Sequence, residues 1–277
     1  MRDPQRFMID SFASELSQTY TRMYGDARPE LAAVIADTCR QVLGRIATSD
    51  MLYHNVEHTM LVVSAGQQIL IGKQNRDHDV SPSDWLHFIL ALVCHDIGYV
   101  RGTCRDDGDG VFAAGDGGMV RLPKGSTDAA LAPYHVSRSQ LFVLEHFGPA
   151  IVPDCDAARI ASYIEMTRFP PPNLPEYQAT GTYAGLARAA DFIGQFADLH
   201  YLRKLPALFY EFEQVGANAA LGYTAPGDMR RSYGHFYREV VSPYIQDALG
   251  YLGGTAEGAQ WAATLQLHIH EVEHGTA

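Results

Sequence analysis

The run Trp85-Leu86-His87-Phe88-Ile89-Leu90-Ala91-Leu92-Val93-Cys94, ending in His95-Asp96-Ile97-Gly98, constrains this chain most. A helix that is apolar on nearly every side has no solvent face, so it must lie at the centre of the fold. The chain then places an aspartate at the buried end of that helix. Such a carboxylate is costly there unless it is paired or metal-bound. His95 and Asp96 are adjacent, about 100° apart around a helix, and their side chains converge only where the helix stops. Gly98 supplies that stop.

The rest of the 277 residues reads as helix around this centre, and about half of them are apolar, enough for a sizeable core. Asp3-Pro4 predicts a helix to about Tyr24, and Arg28-Pro29-Glu30 starts another with Leu31, Val34, Ile35 and Val42 at helical spacing. A third covers 55–71, and Ser83 is the expected cap of the central helix. Later helices are expected at 137–147, 156–168, 182–197, 199–215, 229–250 and 256–271. The expected fold is all-α and one domain: N-terminal helices over 1–47, a metal-site core over 48–250 and a C-terminal helix over 251–277. One segment differs. Residues 101–127 are rich in Gly and Asp, too long for an ordinary helix connection, and read around 111–122 as a short hairpin near the site or a loose surface excursion.

The net charge of −11 argues against an extended nucleic-acid or anionic-membrane surface, but not against a small phosphate ester held by metal. Cys39, Cys94, Cys104 and Cys155 form no C-x-x-C pair, which suits a reduced, cytoplasmic protein. The first residues lack a signal-peptide apolar region, and no run of roughly 18 apolar residues is present to span a membrane.

Two further features supply metal-ligand chemistry. In Tyr53-His54-Asn55-Val56-Glu57-His58 the histidines are four apart, one turn on a single face if a helix begins there. In Ala189-Ala190-Asp191 a carboxylate sits among small residues; its bland alternative is a surface aspartate paired with Arg188. His270-Glu271-Val272-Glu273-His274 matches H-E-x-x-H, but the sequence runs only three residues beyond it, too few for the further ligand a zincin needs.

The order H…HD…D resembles the HD superfamily of metal-dependent phosphohydrolases, and more closely the catalytic domain of class I cyclic-nucleotide phosphodiesterases. Tyr53-His54-Asn55-x-x-His58 is similar to that family's YHNxxH. The stretch around Tyr134-His135 resembles its ENHH helix, and Glu165-Met166-Thr167 stands where it has ATD. Ala190-Asp191 with Phe209-Tyr210-Glu211-Phe212 resembles its AD…EFF run. Ser232-Tyr233-Gly234-His235-Phe236 resembles its SQxxF. The likeness covers about 50–250. It implies His58, His95, Asp96 and Asp191 as ligands of a tight metal, His54 as proton donor to the leaving oxygen, and Asp96 as a catalytic ligand bridging two metals. One or two divalent ions (zinc, manganese, magnesium or iron) and a small phosphate ester or nucleotide are the implied cofactors and partner.

Departures from that pattern centre on the second metal and the base. Tyr99 replaces a histidine, and Arg168 replaces the aspartate after ATD's threonine, where it could bind phosphate. Tyr233 stands in place of the base-reading glutamine, while the clamp phenylalanine is kept as Phe236. A phenol cannot reproduce an amide's donor–acceptor pair. His135 is the candidate additional ligand for the second metal. Two other functions fit the same residues: a di-iron oxygenase drawing on His135 and His146, or a non-catalytic nucleotide-binding module.

Overall fold

The computed structural model describes residues 3–148 and 155–274. Helix α1 (Pro4–Tyr24) begins as expected, with Asp3 accepting the Gln5 amide at 3.0 Å and Pro4 in the first turn. It packs on α2 (Glu30–Ile46), which buries Leu31, Ile35 and Val42. Then come α3 (Val56–Asp77) and the central α4 (Pro82–Cys94), whose Trp85, Phe88, Leu90 and Leu92 are wholly shielded. The cap of α4 is Ser81 and not Ser83. Ser81 and Asp84 bond each other's backbone amides at 3.1 and 3.0 Å, a reciprocal cap that Pro82 favours by taking the first turn.

The second half contains α5 (His135–His146), α6 (Ala157–Glu165), α7 (Tyr183–Phe196), α8 (Tyr201–Glu213), the short α9 (Ala217–Leu221), α10 (Pro226–Phe236), α11 (Ser242–Leu252) and α12 (Ala256–His274). Helix α7 lies along α3, with α11 against both and α4 and α6 beside them. Gly194 makes this closeness possible: a Cβ there would stand 2.6 Å from the Val62 Cα. The all-α expectation holds, and no described helix is long and apolar enough to cross a membrane.

Two expected helices come out differently. The 229–250 helix is broken by a π turn at Tyr237–Val241, just ahead of Pro243, which has no amide hydrogen to continue regular bonding. The 156–168 helix ends at Glu165; the Thr167 hydroxyl bonds the Ile164 carbonyl at 2.8 Å, and Phe169 precedes a proline, which disfavours helix.

The 101–127 segment is a fastened hairpin. Strands β1 (Val111–Ala113) and β2 (Met119–Arg121) are antiparallel, with Phe112 opposite Val120. Arg138 of α5, fully buried, bonds both Asp107 oxygens (2.9 and 2.8 Å) and the carbonyls of Gly98, Val100 and Ala113. One guanidinium thus ties the hairpin, the His-Asp turn and α5 together. The turn residue Gly115 abuts Ser137, since a Cβ there would meet the Ser137 carbonyl carbon at 2.3 Å.

Candidate metal centre

Four elements deliver the site. Asn55 caps α3 through its side chain, accepting the Glu57 and His58 amides at 3.0 and 3.2 Å. The helix therefore starts after His54, so His54 and His58 do not share a helical face. His58 points from the first turn of α3, and His54 from the loop before it. His95 ends α4 and Asp96 opens the 3-10 turn Ile97–Tyr99, the helix end that lets both side chains turn inward. Asp191 comes from α7, held near His58 by the α3–α7 packing.

Gly98 fixes the fourth element. The start of α5 presses on it so closely that a Cβ would lie 1.9 Å from the His135 carbonyl oxygen. The Ser139 hydroxyl accepts the Gly98 amide at 2.9 Å and donates to the His95 carbonyl at 2.7 Å. This contact brings His135 to the cluster.

The side chains converge. His58 Nε2 lies 3.3 Å from Asp96 Oδ2 and 3.5 Å from Asp191 Oδ1. His95 Nε2 lies 3.1 and 3.6 Å from the same two oxygens. His135 Nε2 approaches the other Asp96 oxygen at 3.9 Å. Asp96 thus faces two histidines with one oxygen and a third with the other. His95 Nδ1 bonds the Leu92 carbonyl at 2.8 Å and His135 Nδ1 the Ala132 carbonyl at 2.6 Å. Those carbonyls accept hydrogen bonds from Nδ1–H and leave both Nε2 atoms with a free lone pair when the rings are neutral, the usual arrangement of metal-ligating histidines. His95 Nε2 and Asp96 Oδ2 are buried without a hydrogen-bond partner. Buried polar atoms left unpaired in this way are expensive in a core unless something binds them. The groups His58–His95–Asp191 and His54–His58–Asp96 each place ligand atoms close enough to hold one metal ion.

Charge coupling is strong. Burial opposes ionisation of Asp96, but the His95 and His58 imidazoles override it and hold the carboxyl well below its usual range. Burial likewise opposes charge on His95, yet Asp96 and Asp191 lift it well above the usual imidazole value. Asp191 is lowered, with burial outweighed by His58 and His95. His135 goes the other way, pushed down by burial to about 4, with Asp96 only partly offsetting it. A neutral His135 is the form that ligates.

His54 has a separate support. Its Nδ1 lies 2.6 Å from Glu211 Oε2, and Glu211 Oε1 accepts the backbone amides of both His54 (3.2 Å) and Tyr53. Burial works against protonation of His54, but the Glu211 carboxylate prevails and raises its pKa. Tyr99 fills the space between histidines: its ring stacks on His135 at 4.2 Å and on His54 at 4.9 Å. The side chains of His58, His95 and Asp96 form the closed floor, each 5 % exposed or less, while His54, His135 and Asp191 at 15–21 % line the open side.

The sequence-derived residues therefore divide. His54, His58, His95, Asp96, Asp191 and His135 come together. Arg168 is engaged by Glu165 (2.8 Å), to which Tyr177 also donates at 2.7 Å, and by the Ser137 hydroxyl at 3.1 Å. Tyr233 is buried among aromatic rings, 5.3 Å from Phe196 and 5.9 Å from Tyr201, and Phe236 stacks on Phe196 at 5.8 Å. His146 stacks on Phe142 and bonds its carbonyl at 2.9 Å. His270 and His274 of the H-E-x-x-H match stack on each other along α12. Sequence reasoning gave Glu211 no role. Its signal was a lone carboxylate on the apolar face of α8 set by Leu205 and Leu208.

Fold and site define a mostly helical protein with a buried His/Asp cluster whose ligand atoms could hold a metal ion. The chain belongs to the Npun_R2479-like family, whose family model matches residues 2–275. No curated protein and no solved structure matches it.

Proposed function

We propose that this protein is a metal-dependent phosphohydrolase acting on a small phosphate ester or nucleotide, as the resemblance to HD-type phosphodiesterases implies. The observation that carries this reading is the pairing of a buried His/Asp metal cluster with the His54–Glu211 dyad at its open side. His58, His95, Asp96 and Asp191 would hold a first divalent ion, and His135 with the second Asp96 oxygen would serve another. An ion held there supplies Lewis acidity toward phosphoryl oxygens and an activated water near neutral pH.

The chain's own residues do the rest. Glu211 accepts a hydrogen bond from His54 Nδ1–H, which fixes the ring's orientation and leaves Nε2 as the nitrogen that can carry a proton to the leaving oxygen. The raised pKa of His54 keeps that proton in place toward neutral pH. Tyr99, stacked between His54 and His135, holds both rings apart. A binding module has no need of a positioned acid, so the dyad favours an enzyme. The test is hydrolysis of bis(p-nitrophenyl) phosphate with and without Mn²⁺. Metal-dependent turnover that is lost in Asp96→Ala is expected. Metal-loaded protein that binds nucleotides yet hydrolyses no phosphodiester or phosphomonoester would overturn the reading.

A further inference from the structure

A partly enclosed cleft of about 250 Å³ opens where α1, α3 and the first turn of α12 meet. Gln67 and Gln68 line it from α3, nine and ten positions beyond His58, so it lies roughly 14 Å along that helix from the metal cluster. Its floor is polar yet buried: both glutamines are 6 % exposed, and Thr19 of α1 is 2 % exposed. Gln67 Nε2 donates to Thr19 Oγ1 at 3.3 Å, and Thr255 Oγ1 donates to Gln68 Oε1 at 3.4 Å, both long bonds. Gln67 Oε1 is buried with no partner at all. An amide oxygen left unpaired in a core is costly unless a donor reaches it.

The mouth of the cleft is charged. Glu15 of α1 and Glu257 in the first turn of α12 line it and are exposed, as is Arg22. Among the described residues neither carboxylate is joined to a cation, and Arg22 turns instead to Thr19, donating to its Oγ1 at 2.5 Å. Two carboxylates against one guanidinium leave the mouth net negative. Between mouth and floor, Met23 and Ile71 supply half-buried apolar wall. The volume falls below the range of roughly 300–1,000 Å³ common for drug-sized ligands, which restricts the cleft to a small molecule.

We propose that this cleft is a binding site for a small alkyl amine, whose ammonium groups donate to Gln67 Oε1 and to the carboxylates of Glu15 and Glu257 while its methylenes lie on Met23 and Ile71. The unspent groups are acceptors and the mouth is negative, so a donor-bearing cation is selected over an anion. The terminal torsion of a glutamine amide is soft, and a single long bond holds the Gln67 amide, so an entering ammonium can draw the carbonyl oxygen into the cleft. The site is independent of the metal reading.

Isothermal titration calorimetry of the full chain with 1,4-diaminobutane, sodium butyrate and butan-1-ol at matched ionic strength tests it. Wild type should bind the diamine saturably, one per chain, and neither the anion nor the alcohol. The double variant Glu15→Gln/Glu257→Gln changes only exposed side chains and should weaken diamine binding severalfold, and added salt should weaken binding to wild type. Gln67→Leu removes the buried acceptor and should also weaken binding; if it does not fold, the double variant carries the test. Asp96→Ala should bind the diamine as wild type does, which places the ligand away from the metal cluster. A wild type that does not bind the diamine saturably, or that binds butyrate equally well, would overturn the proposal. So would binding undiminished in the double variant or in folded Gln67→Leu, or binding lost in Asp96→Ala.

Discussion

Glu211 offers the sharpest perturbation near the site. Its two oxygens hold the amides of Tyr53 and His54 and the His54 ring, and it is buried. Glu211→Ala strands two backbone donors, each costing about 1–3 kcal/mol when left unpaired in a core, so the expected loss is about 2–6 kcal/mol before relaxation. Glu211→Gln keeps an acceptor for the amides but removes the charge that outweighs burial at His54. Its stability loss should be smaller, and the His54 pKa should fall from its raised position, because burial would then be opposed only by the weaker pull of Asp96 and Asp191. The sign follows from linkage. A raised folded-state pKa contributes stability below the unfolded pKa that is lost as pH rises through the folded one. The stability gap between wild type and Glu211→Gln should therefore be widest in mild acid and close on the alkaline side. Denaturant unfolding across pH, with NMR titration of the His54 ring, measures both. A Glu211→Ala loss under about 1 kcal/mol, or an unchanged His54 pKa in Glu211→Gln, would refute the assignment of Glu211 as the residue that positions and charges His54.

Three other outcomes follow from the same contacts. His54→Ala should keep its metal and lose about 10²–10⁴-fold in turnover of an ester with a poor leaving group, with a much smaller loss when the leaving group is very acidic; kcat compared across leaving groups checks this. Gly98→Ala should fail to fold normally or lose the His135 placement, because the added methyl would collide with the His135 carbonyl oxygen; circular dichroism and metal stoichiometry report it. Asp107→Ala, which strands the buried Arg138, should cost about 3–5 kcal/mol and free the 101–127 segment to proteolysis. Burial raises the Asp107 pKa, but Arg138 and the backbone amides outweigh it and lower it, so its stabilisation is present above about pH 4 and fades as pH falls through the folded-state value.

The parts of this fold that were legible in the sequence are those governed by local rules. The all-apolar Trp85–Cys94 run had to be central, and a carboxylate at its end had to find compensation; the His58, Asp96 and Asp191 side chains meet for that reason. The hairpin was readable because its Gly-Asp turn lies between two short apolar runs. What escaped was set by contacts distant in sequence. Glu211 stands 157 residues from His54, and Arg138 reaches 31 residues back to Asp107, so no spacing rule joins them. The helical face imagined for His54 and His58 gave way to a capping preference, with Asn55 starting the helix one residue after His54. The readings of Tyr233 and Phe236 rested on resemblance alone, and the aromatic packing around Phe196 is a matter of tertiary fit.

The metal content of protein purified without chelator, compared with Asp96→Ala prepared the same way, tests the central claim most directly. Among the described residues, Asp96 is the one side chain that faces His58, His95 and His135 together. The account predicts at least one tightly held divalent ion per wild-type chain and a fall toward none in Asp96→Ala, with a lower Tm because bound metal stabilises the native state. A wild-type protein that takes up no divalent ion even after reconstitution, or an Asp96→Ala variant that keeps its full complement, would contradict it.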